Sequence, residues 1–293
     1  MNILTFDIEE WYIEKFYKGN RALKYQEYDA TLDKILALLE ENNTKATFFC
    51  LGGLVEHFPH VIRKISAGGH EIGCHSNCHK WVNKMSPDEF KEDSYSAISA
   101  LEDFIGLPVT SYRAPAFSIG KNTLWAFDVL AECGIINDAS IFPGTRDFGG
   151  FPEFEYKESP SKIITNGATI NEFPISLASL PIIKKQVAYS GGGYFRLLPL
   201  KFIKSQIQSS DYNMCYFHIN DLLNSKSEFM SRKQYEEYFK EAGTLPARIK
   251  RYIKSNIGRD KTYNGIKDLL THYKLISITE ACSNQNTFPS TKL

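Results

Sequence analysis

The sequence lacks an excess of charge of either sign, because lysine plus arginine and aspartate plus glutamate both number 34 among its 293 residues. It therefore has no basic surplus of the kind that draws a protein to nucleic acid or to an anionic membrane through its overall field. It also has no run of roughly 18 or more apolar residues, the minimum for a spanning helix, so we expect no stable membrane insertion. Any charge effect should be local.

A secretory signal peptide is also missing, since the first residues contain neither a basic nor an apolar segment of that kind. The opening, Met1-Asn-Ile-Leu-Thr-Phe-Asp7, becomes acidic at once. We therefore expect a cytoplasmic protein. The sequence makes no prediction of oligomeric state.

Six cysteines lie along the chain without the regular spacing of a disulfide framework. Four of them stand in or beside apolar segments and are interpreted as core thiols: Cys50, Cys133, Cys215 and Cys282. Cys74 and Cys78 alternate with two histidines and could instead form a closed structural zinc site. Packed thiols are favoured there, because no second pair of ligands follows.

Repeats, low-complexity tracts and linkers rich in proline, glycine or serine are absent, which favours a single domain over residues 1–293. Apolar residues make up 43% of the chain, enough for a sizeable core. Short apolar runs alternate with amphipathic helices, a pattern typical of parallel strands joined by helical crossovers. At least six such steps predict a barrel-like α/β fold, with a helical C-terminal extension around 230–272.

The predicted strands cover 3–6, 46–50, 71–75, 109–113, 214–218 and 275–278, with an extended region over 163–175. Directly after apolar strand-like runs come five polar residues: Asp7, His75, Arg113, Asp138 and His218. In α/β barrels and open α/β sheets, active sites form at the carboxyl ends of parallel strands. We therefore expect these side chains to share one site.

His75 and His79 are four residues apart, which would bring both imidazoles to one side of a helical turn, within reach of one ion. Such a pair is equally consistent with surface or capping histidines. A carboxylate from Asp7-Ile-Glu9-Glu10 would complete a set of two histidines and one acid that leaves coordination positions open. Asp7 and Glu9 point the same way if the strand continues, so one can bind the metal while the other stays free to take a proton; Glu10 is a further candidate for the ligand.

Two other segments have alternative interpretations. Gly191-Gly-Gly193 is not followed by the Lys-Ser or Lys-Thr of a phosphate-binding loop, so we expect a flexible loop over the site. The segment 246–254 is basic and amphipathic, and we expect a solvated outer helix, with a membrane-surface helix as the alternative. No Gly-x-Ser-x-Gly elbow of a serine hydrolase occurs, while a catalytic cysteine stays open.

From Thr5 to about Leu222 the sequence resembles the polysaccharide deacetylases of carbohydrate esterase family 4, the NodB-like group. Four ordered motifs carry the resemblance: Thr5-Phe-Asp7-Ile-Glu9, Gly69-His-Glu-Ile-Gly-Cys-His-Ser-Asn-Cys-His79, Arg113-Ala-Pro115 and Tyr216-Phe-His218. Three further pieces resemble the branch found in exopolysaccharide gene clusters: Asp138-Ala-Ser-Ile-Phe-Pro143, Glu172-Phe-Pro174 and Gly191-Gly-Gly-Tyr-Phe-Arg-Leu-Leu-Pro199.

The resemblance implies a distorted (β/α) barrel of about seven parallel strands. It also implies metal-dependent hydrolysis of an N-acetyl group from a sugar in polysaccharide or cell-surface glycan biosynthesis, with zinc as the expected ion. An N-acetylated sugar or glycan would be the substrate. Alternative functions are hydrolysis of another non-peptide amide, as in allantoinase-like relatives, and glycan binding without catalysis.

The resemblance also implies roles for individual residues. Asp7 would be the general base and His218 the general acid. The metal ligands would be Glu9, His75 and His79. Arg113 would hold Asp7 in its charged form.

Further residues have less definite roles. Asp138 would orient His218 or contact sugar hydroxyls. Pro115 and Tyr194 would contact substrate, whereas Glu172 is either a substrate contact or a structural residue. The sequence departs from the family in the Asp-x-Glu spacing of its acids and in Ile219-Asn220-Asp221, where this branch usually has Pro-Trp-Glu.

Overall fold

The fold alternates short strands with helices, as seen in a computed structural model that describes residues 1–19, 21–146, 149–180, 185–239, 241–284 and 288–292. The strands are β1 (Asn2–Ile8), β2 (Thr47–Cys50), β3 (Glu71–Cys74), β4 (Ser111–Tyr112), β5 (Asn137–Asp138), β6 (Ser161–Ile164), β7 (Thr169–Glu172), β8 (Ala178–Leu180), β9 (Lys185–Val187), β10 (Asn213–His218) and β11 (Ser290–Lys292). The helices are α1 (Glu10–Ile13), α2 (Ala22–Glu41), α3 (Gly53–His57), α4 (Pro59–Ala67), α5 (Pro87–Ile105), α6 (Trp125–Glu132), α7 (Gly192–Leu197), α8 (Leu200–Gln208), α9 (Ile219–Leu222), α10 (Arg232–Phe239), α11 (Leu245–Asn256), α12 (Asp260–His272) and α13 (Ile278–Asn284).

One large sheet organises the molecule. Its parallel part contains seven strands in the order β10-β1-β2-β3-β4-β5-β7, which agrees with the predicted number. At the far edge β6 pairs antiparallel with β7, and β11 pairs parallel with β6. The first strand in sequence therefore lies near one edge of the sheet, beside the tenth.

Side-chain hydrogen bonds join the two edges of the parallel sheet, where no strand pairing closes the barrel. Beyond β7, the hydroxyl of Ser176 accepts a hydrogen bond from the backbone N–H of Met214 on β10 at 2.8 Å. The Tyr212 hydroxyl donates to the carbonyl of Pro174 at 2.7 Å. These bonds link the two ends of the parallel sheet, so the expected distorted barrel is present without continuous strand pairing around it.

Alternation along β1 separates two cores. Leu4, Phe6 and Ile8 belong to the large cluster between the sheet and the helices, where the Phe6 ring stacks on Phe48 at 4.9 Å. Ile3 belongs to a second cluster inside the barrel, together with Phe49. Since successive side chains of a strand point to opposite faces, Thr5 and Asp7 share the interior direction of Ile3.

Local signals set the helix boundaries. Ser86 accepts a hydrogen bond from the Glu89 N–H, and the Glu89 carboxylate accepts one from the Ser86 N–H, so a capping box starts α5. Gly106 ends this helix in the left-handed conformation with φ of 70°. Pro59 occupies the first position of α4. The boundaries of these helices therefore follow from signals in the local sequence.

Several predicted segments differ from the structure. The extended region over 163–175 is the hairpin of β6 and β7, which turns at Asn166 and Gly167. The strand predicted over 275–278 is a single bridge between Ile276 and Ile3, after which α13 begins. The glycines expected in a flexible loop start α7 instead, with Gly191 against Tyr216. In the last two cases contacts with residues distant in the sequence replaced the local pattern.

The described part of the chain contains no helix with both the length and the apolar character to cross a bilayer.

We predict that Gly191→Ala destabilises the fold. A Cβ at residue 191 would overlap the carbonyl oxygen of Tyr216 and lie 2.6 Å from Cε1 of its ring. Relief of such overpacking typically costs about 1–3 kcal/mol in the free energy of unfolding, which urea denaturation would measure. Gly167→Ala is the matched control, because no atom lies within 4 Å of its added Cβ. Equal stability of the two variants would contradict the prediction.

Candidate metal and active site

Polar side chains gather where neighbouring parallel strands end. Asp7 near the end of β1 and His218 at the end of β10 are register partners. His75 follows β3 and Arg113 follows β4. Because the carboxyl ends of parallel strands lie at the same edge of a sheet, these residues become neighbours although they are far apart in the sequence.

Glu9, His75 and His79 converge on one point. The Oε2 atom of Glu9 lies 2.6 Å from Nε2 of His79 and 3.4 Å from Nε2 of His75. All three residues are buried, and their ligand atoms lie within 4.8 Å of one another. Two imidazoles and one carboxylate at this separation suit a single divalent ion roughly 2.0–2.2 Å from each ligand atom.

The surroundings of the imidazoles also fit a metal site. Nδ1 of His75 lies 2.7 Å from the carbonyl oxygen of Arg113, which can only accept a hydrogen bond. Nδ1 therefore carries a proton and donates to this carbonyl, which holds the ring with Nε2 on the side of Glu9. The ring of Tyr238 stacks on His79 at a centroid distance of 6.1 Å. Both rings are thus oriented by neighbours before any ion binds.

The two histidines reach this point through a loop and not through the helical turn that their spacing suggested. Ser76 and His79 have φ of 71° and 59°, in the left-handed region that non-glycine residues rarely adopt. The Ser76 hydroxyl accepts a hydrogen bond from the His79 N–H at 3.0 Å. Backbone strain of this kind is typical of residues held in place for a functional geometry.

Of the two adjacent glutamates, Glu9 faces the histidines. Burial alone would raise the pKa of Glu9, but the charge of His79 and hydrogen bonds from both imidazoles hold that pKa well below its usual value. Glu10 Oε1 instead accepts a hydrogen bond from the Asn220 N–H at 2.8 Å. Burial raises the pKa of Glu10 to about 7, although the charge of His218 opposes this shift. The geometry therefore places the carboxylate of Glu9, and not that of Glu10, beside the two imidazoles.

Asp7 forms a buried ion pair with Arg113. Nη1 of Arg113 donates to Asp7 Oδ1 and to Thr5 Oγ1, both at 2.8 Å. Nε of Arg113 donates to the Ala139 carbonyl at 3.1 Å, and the guanidinium lies 4.3 Å from the centroid of the Phe49 ring. The fixed geometry of the guanidinium therefore sets the orientation of Asp7.

His218 is oriented by Asp221. Nδ1 of His218 lies 3.3 Å from Asp221 Oδ2, and Nε2 lies 3.8 Å from Asp7 Oδ2 and from Glu9 Oε1. Burial alone would lower the pKa of His218, but these carboxylates outweigh it and raise that pKa to about 10. Asp221 also pairs with Arg196, and its pKa falls to about 2 despite its burial. Nε2 of His218 is thus presented to the site with a proton.

Asp138 and Glu172 lie behind the site and do not line its cavity. The Asp138 carboxylate accepts hydrogen bonds from the N–H and hydroxyl of Ser140, at 2.9 and 2.7 Å. Glu172 Oε1 accepts one from the Ile141 N–H at 3.0 Å. Both acids are fully buried, and burial raises the pKa of each. This placement favours the structural role over substrate contact for Glu172, and the partner of His218 is Asp221 and not Asp138.

A cavity of about 270 Å³ opens beside the converging residues. Its aromatic lining includes Trp81, Phe117, Tyr216, Tyr235 and Tyr238. Pro115 is buried next to the lining residues Ala116 and Phe117, and Tyr194 follows the lining residues Gly192 and Gly193. The roles of Pro115 and Tyr194 as substrate contacts stay predictions.

Cys74 and Cys78 do not join the group of metal-ligating atoms around Glu9. The Cys74 thiol is buried, and burial raises its pKa. A buried thiol that resists deprotonation is a poor ligand for zinc, which binds the thiolate. The packed-thiol interpretation therefore fits this pair better.

Sequence reasoning missed two neighbours of the histidines. Asp221 lies three residues after His218, at a strand-to-helix junction. This spacing and the departure from Pro-Trp-Glu are the sequence features that could have indicated its contact with His218. Tyr238, which stacks on His79, lies on α10 far along the chain. No local pattern marks it, because only the packing of α10 brings it to the site.

Family models match almost the whole chain in two segments. Residues 3–135 match the polysaccharide deacetylase model, and residues 139–282 match a domain of unknown function, DUF3473. Over its first segment the chain is therefore similar to polysaccharide deacetylases. Both segments contribute to one sheet, since β10 pairs with β1 and β5 pairs with β4.

Curated relatives match shorter stretches of this chain. It is 36% identical over 94 residues to a peptidoglycan-N-acetylglucosamine deacetylase of Bacillus cereus, covering 32% of this chain and 34% of that protein. It is 30% identical over 97 residues to a bifunctional xylanase/deacetylase of Pseudobutyrivibrio xylanivorans, covering 33% of this chain and 16% of that protein. The chain thus spans about a third or less of the length of these relatives.

A solved structure agrees with the fold over nearly the full length. The crystal structure of a protein from Mycobacterium smegmatis, described as a polysaccharide deacetylase, covers 99% of this chain and 92% of its own, with a TM-score of 0.63 and 17% sequence identity. This likeness shows the fold of the chain and nothing about its chemistry.

We predict that Arg113→Met destabilises the protein strongly, because it leaves the buried Asp7 carboxylate without the guanidinium. Loss of one partner of a buried ion pair typically costs about 3–5 kcal/mol, measurable as the free energy of unfolding in urea. The double variant Asp7→Asn/Arg113→Met should recover part of that loss, since neither position then carries an uncompensated charge. If the double variant is as unstable as Arg113→Met, the ion pair is not the source of the effect.

Proposed function

We propose that this chain is a metal-dependent hydrolase that removes the N-acetyl group from an N-acetylated sugar of a glycan. The observation that carries the proposal is the convergence of Glu9, His75 and His79, with Asp7 and His218 beside them. The match of residues 3–135 to the polysaccharide deacetylase model supports the reaction class. The names of the peptidoglycan-N-acetylglucosamine deacetylases support an N-acetylated sugar as the substrate.

Zinc is the ion that we propose for the site formed by Glu9, His75 and His79. Two histidines and one carboxylate are a typical ligand set of catalytic zinc, and they leave a coordination position open. When bound, the ion would supply Lewis acidity toward the acetamide carbonyl and the attacking water.

Asp7 is suited to accept the proton of the attacking water. Nη1 of Arg113 donates hydrogen bonds to Thr5 Oγ1 and to Asp7 Oδ1, each at 2.8 Å, and so fixes the orientation of the Asp7 carboxylate. The second oxygen, Oδ2, lies 3.8 Å from Nε2 of His218, so it points into the space between the two catalytic candidates. Water would lose its proton to Asp7 while its oxygen attacks the carbonyl carbon.

His218 is suited to protonate the departing nitrogen. An amine is a poor leaving group without a proton, and Nε2 of His218 faces the site while Asp221 holds Nδ1. Transfer of that proton to nitrogen would accompany cleavage of the carbon–nitrogen bond. The products would be the free amino sugar and acetic acid, which ionises to acetate, and return of the proton from Asp7 to His218 would restore both residues to their starting states.

The cavity supports a sugar as the group that is bound. Aromatic side chains such as Trp81, Tyr216 and Tyr238 line it together with Arg146 and Arg196. Apolar walls with a few placed polar groups are typical of sites for small organic ligands. The exopolysaccharide context and the cytoplasmic location stay sequence-based predictions, which subcellular fractionation and glycan analysis of a deletion strain would check.

We predict that His75→Ala, His79→Ala and Glu9→Gln each abolish stoichiometric zinc binding. Each removes one of three ligands, so the site loses a donor that no described neighbour replaces. Elemental analysis of the purified, zinc-dialysed protein is the measurement. Glu10→Gln is the matched control and should keep its zinc, because its amide oxygen can still accept the Asn220 hydrogen bond. Loss of zinc in Glu10→Gln and its retention in Glu9→Gln would reverse the ligand assignment.

We further predict that Asp7→Asn and His218→Ala retain zinc and lose roughly 10²–10⁴-fold in rate, the usual contribution of general acid–base catalysis. The assay is acetate release from N-acetylglucosamine oligomers by zinc-loaded protein, with linear and cyclic ureides as competing substrates. Acetate release at the unmodified rate by either variant would contradict the assigned roles. Turnover of ureides but not of N-acetylated sugars would contradict the sugar N-deacetylase function and support the allantoinase-like alternative.

A further inference from the structure

Helix α11 exposes a stripe of large aliphatic side chains. Leu245, Ile249 and Ile253, followed by Ile257 just past the helix, recur at every fourth residue and are 55%, 43%, 50% and 42% exposed. Leu197 at the end of α7 is 45% exposed and lines the same surface groove. We call these five residues the α11 stripe. The helix itself buries none of its residues.

The opposite face of α11 is turned toward the protein and is cationic. The guanidinium of Arg248 lies 5.1 Å from the Phe229 ring, and that of Arg251 lies 4.6 Å from the Phe239 ring. A helix that packs on its own core places its apolar side inward. In α11 the aliphatic side faces outward instead, so it is available to contact a membrane or another molecule.

The charge of α11 indicates what that partner is. The helix contains Arg248, Lys250, Arg251 and Lys254 and no acidic residue, in a chain whose total charge is balanced. Lys250 and Lys254 border the α11 stripe in the same groove. Aliphatic side chains flanked by lysines are typical of helices that lie in the plane of an anionic membrane.

A second copy of the chain fits this surface less well. A symmetric dimer buries the same patch of both subunits against each other. Pairing two α11 stripes would therefore bring two sets of Lys250 and Lys254 together and place like charges side by side. An anionic lipid surface complements these charges instead.

The α11 stripe also lies next to the cavity. Lys254 lines both the cavity and the groove, and its carbonyl accepts a hydrogen bond from Nη2 of Arg196 at 3.1 Å. We propose that α11 binds in the plane of an anionic phospholipid membrane through the α11 stripe, with the cavity mouth beside the bilayer surface. This binding is independent of the proposed chemistry, because none of the catalytic candidates takes part in it.

The experiment is flotation of the full-length protein with vesicles of phosphatidylcholine alone or with an equal part of phosphatidylglycerol. We expect binding to the anionic vesicles that weakens as salt rises, and little binding to the neutral ones. Ile249→Ser/Ile253→Ser should weaken binding at least about tenfold, because two aliphatic side chains no longer enter the lipid. Lys250→Gln/Lys254→Gln should weaken binding to anionic vesicles and reduce its dependence on salt.

Leu23→Ser/Leu107→Ser is the matched control. These leucines are 80% and 62% exposed and lie outside the α11 stripe, so this variant should bind vesicles like the unmodified protein. Circular dichroism shows whether each variant is folded, so that loss of binding is not loss of structure. The proposal is overturned if the unmodified protein binds neither vesicle, or if all variants bind equally. It is also overturned if sedimentation shows a dimer that Ile249→Ser/Ile253→Ser alone dissolves.

Discussion

The buried ion pair of Asp7 and Arg113 is the contact on which the candidate site depends. The guanidinium bonds to Thr5 and Asp7 on β1, while the backbone carbonyl of Arg113 accepts from Nδ1 of His75. One residue thus orients both the proposed base and one proposed metal ligand. Removing either charge alone would leave the other uncompensated inside the barrel, so the pair couples the stability of the fold to the arrangement of the site.

Strain and burial are concentrated at the same end of the barrel. Positive φ values occur at Ser76 and His79, and again at Ala116 and Phe117 in the loop that follows Arg113. Both loops contribute residues to the cavity. Neighbouring hydrogen bonds and packing hold these unfavourable conformations, and in return the imidazoles and the aromatic wall have fixed positions. Such preorganisation suits a site that must bind an ion and orient an amide at once.

The balanced total charge conceals two opposite local arrangements. At the strand ends, the carboxylates of Asp7, Glu9 and Asp221 surround His218 and raise its pKa. On α11 four cations stand without an acid in the same helix. The composition therefore correctly excluded a strong electrostatic field of the whole protein. The proposed chemistry and the proposed membrane contact depend instead on where single charges lie.

The amino-acid sequence by itself determined the α/β alternation, the boundaries of helices such as α5, and the residues at the strand ends, because these depend on periodicity and on local capping bonds. Only the tertiary structure decided what depends on distant packing. It placed Glu9 and not Glu10 at the histidines, replaced the expected helical turn of His75 and His79 by a strained loop, and made Asp221 the partner of His218. It also turned the aliphatic side of α11 outward. The periodicity of the sequence reveals the aliphatic stripe but not the direction in which it faces, because that direction depends on the surface against which the helix packs.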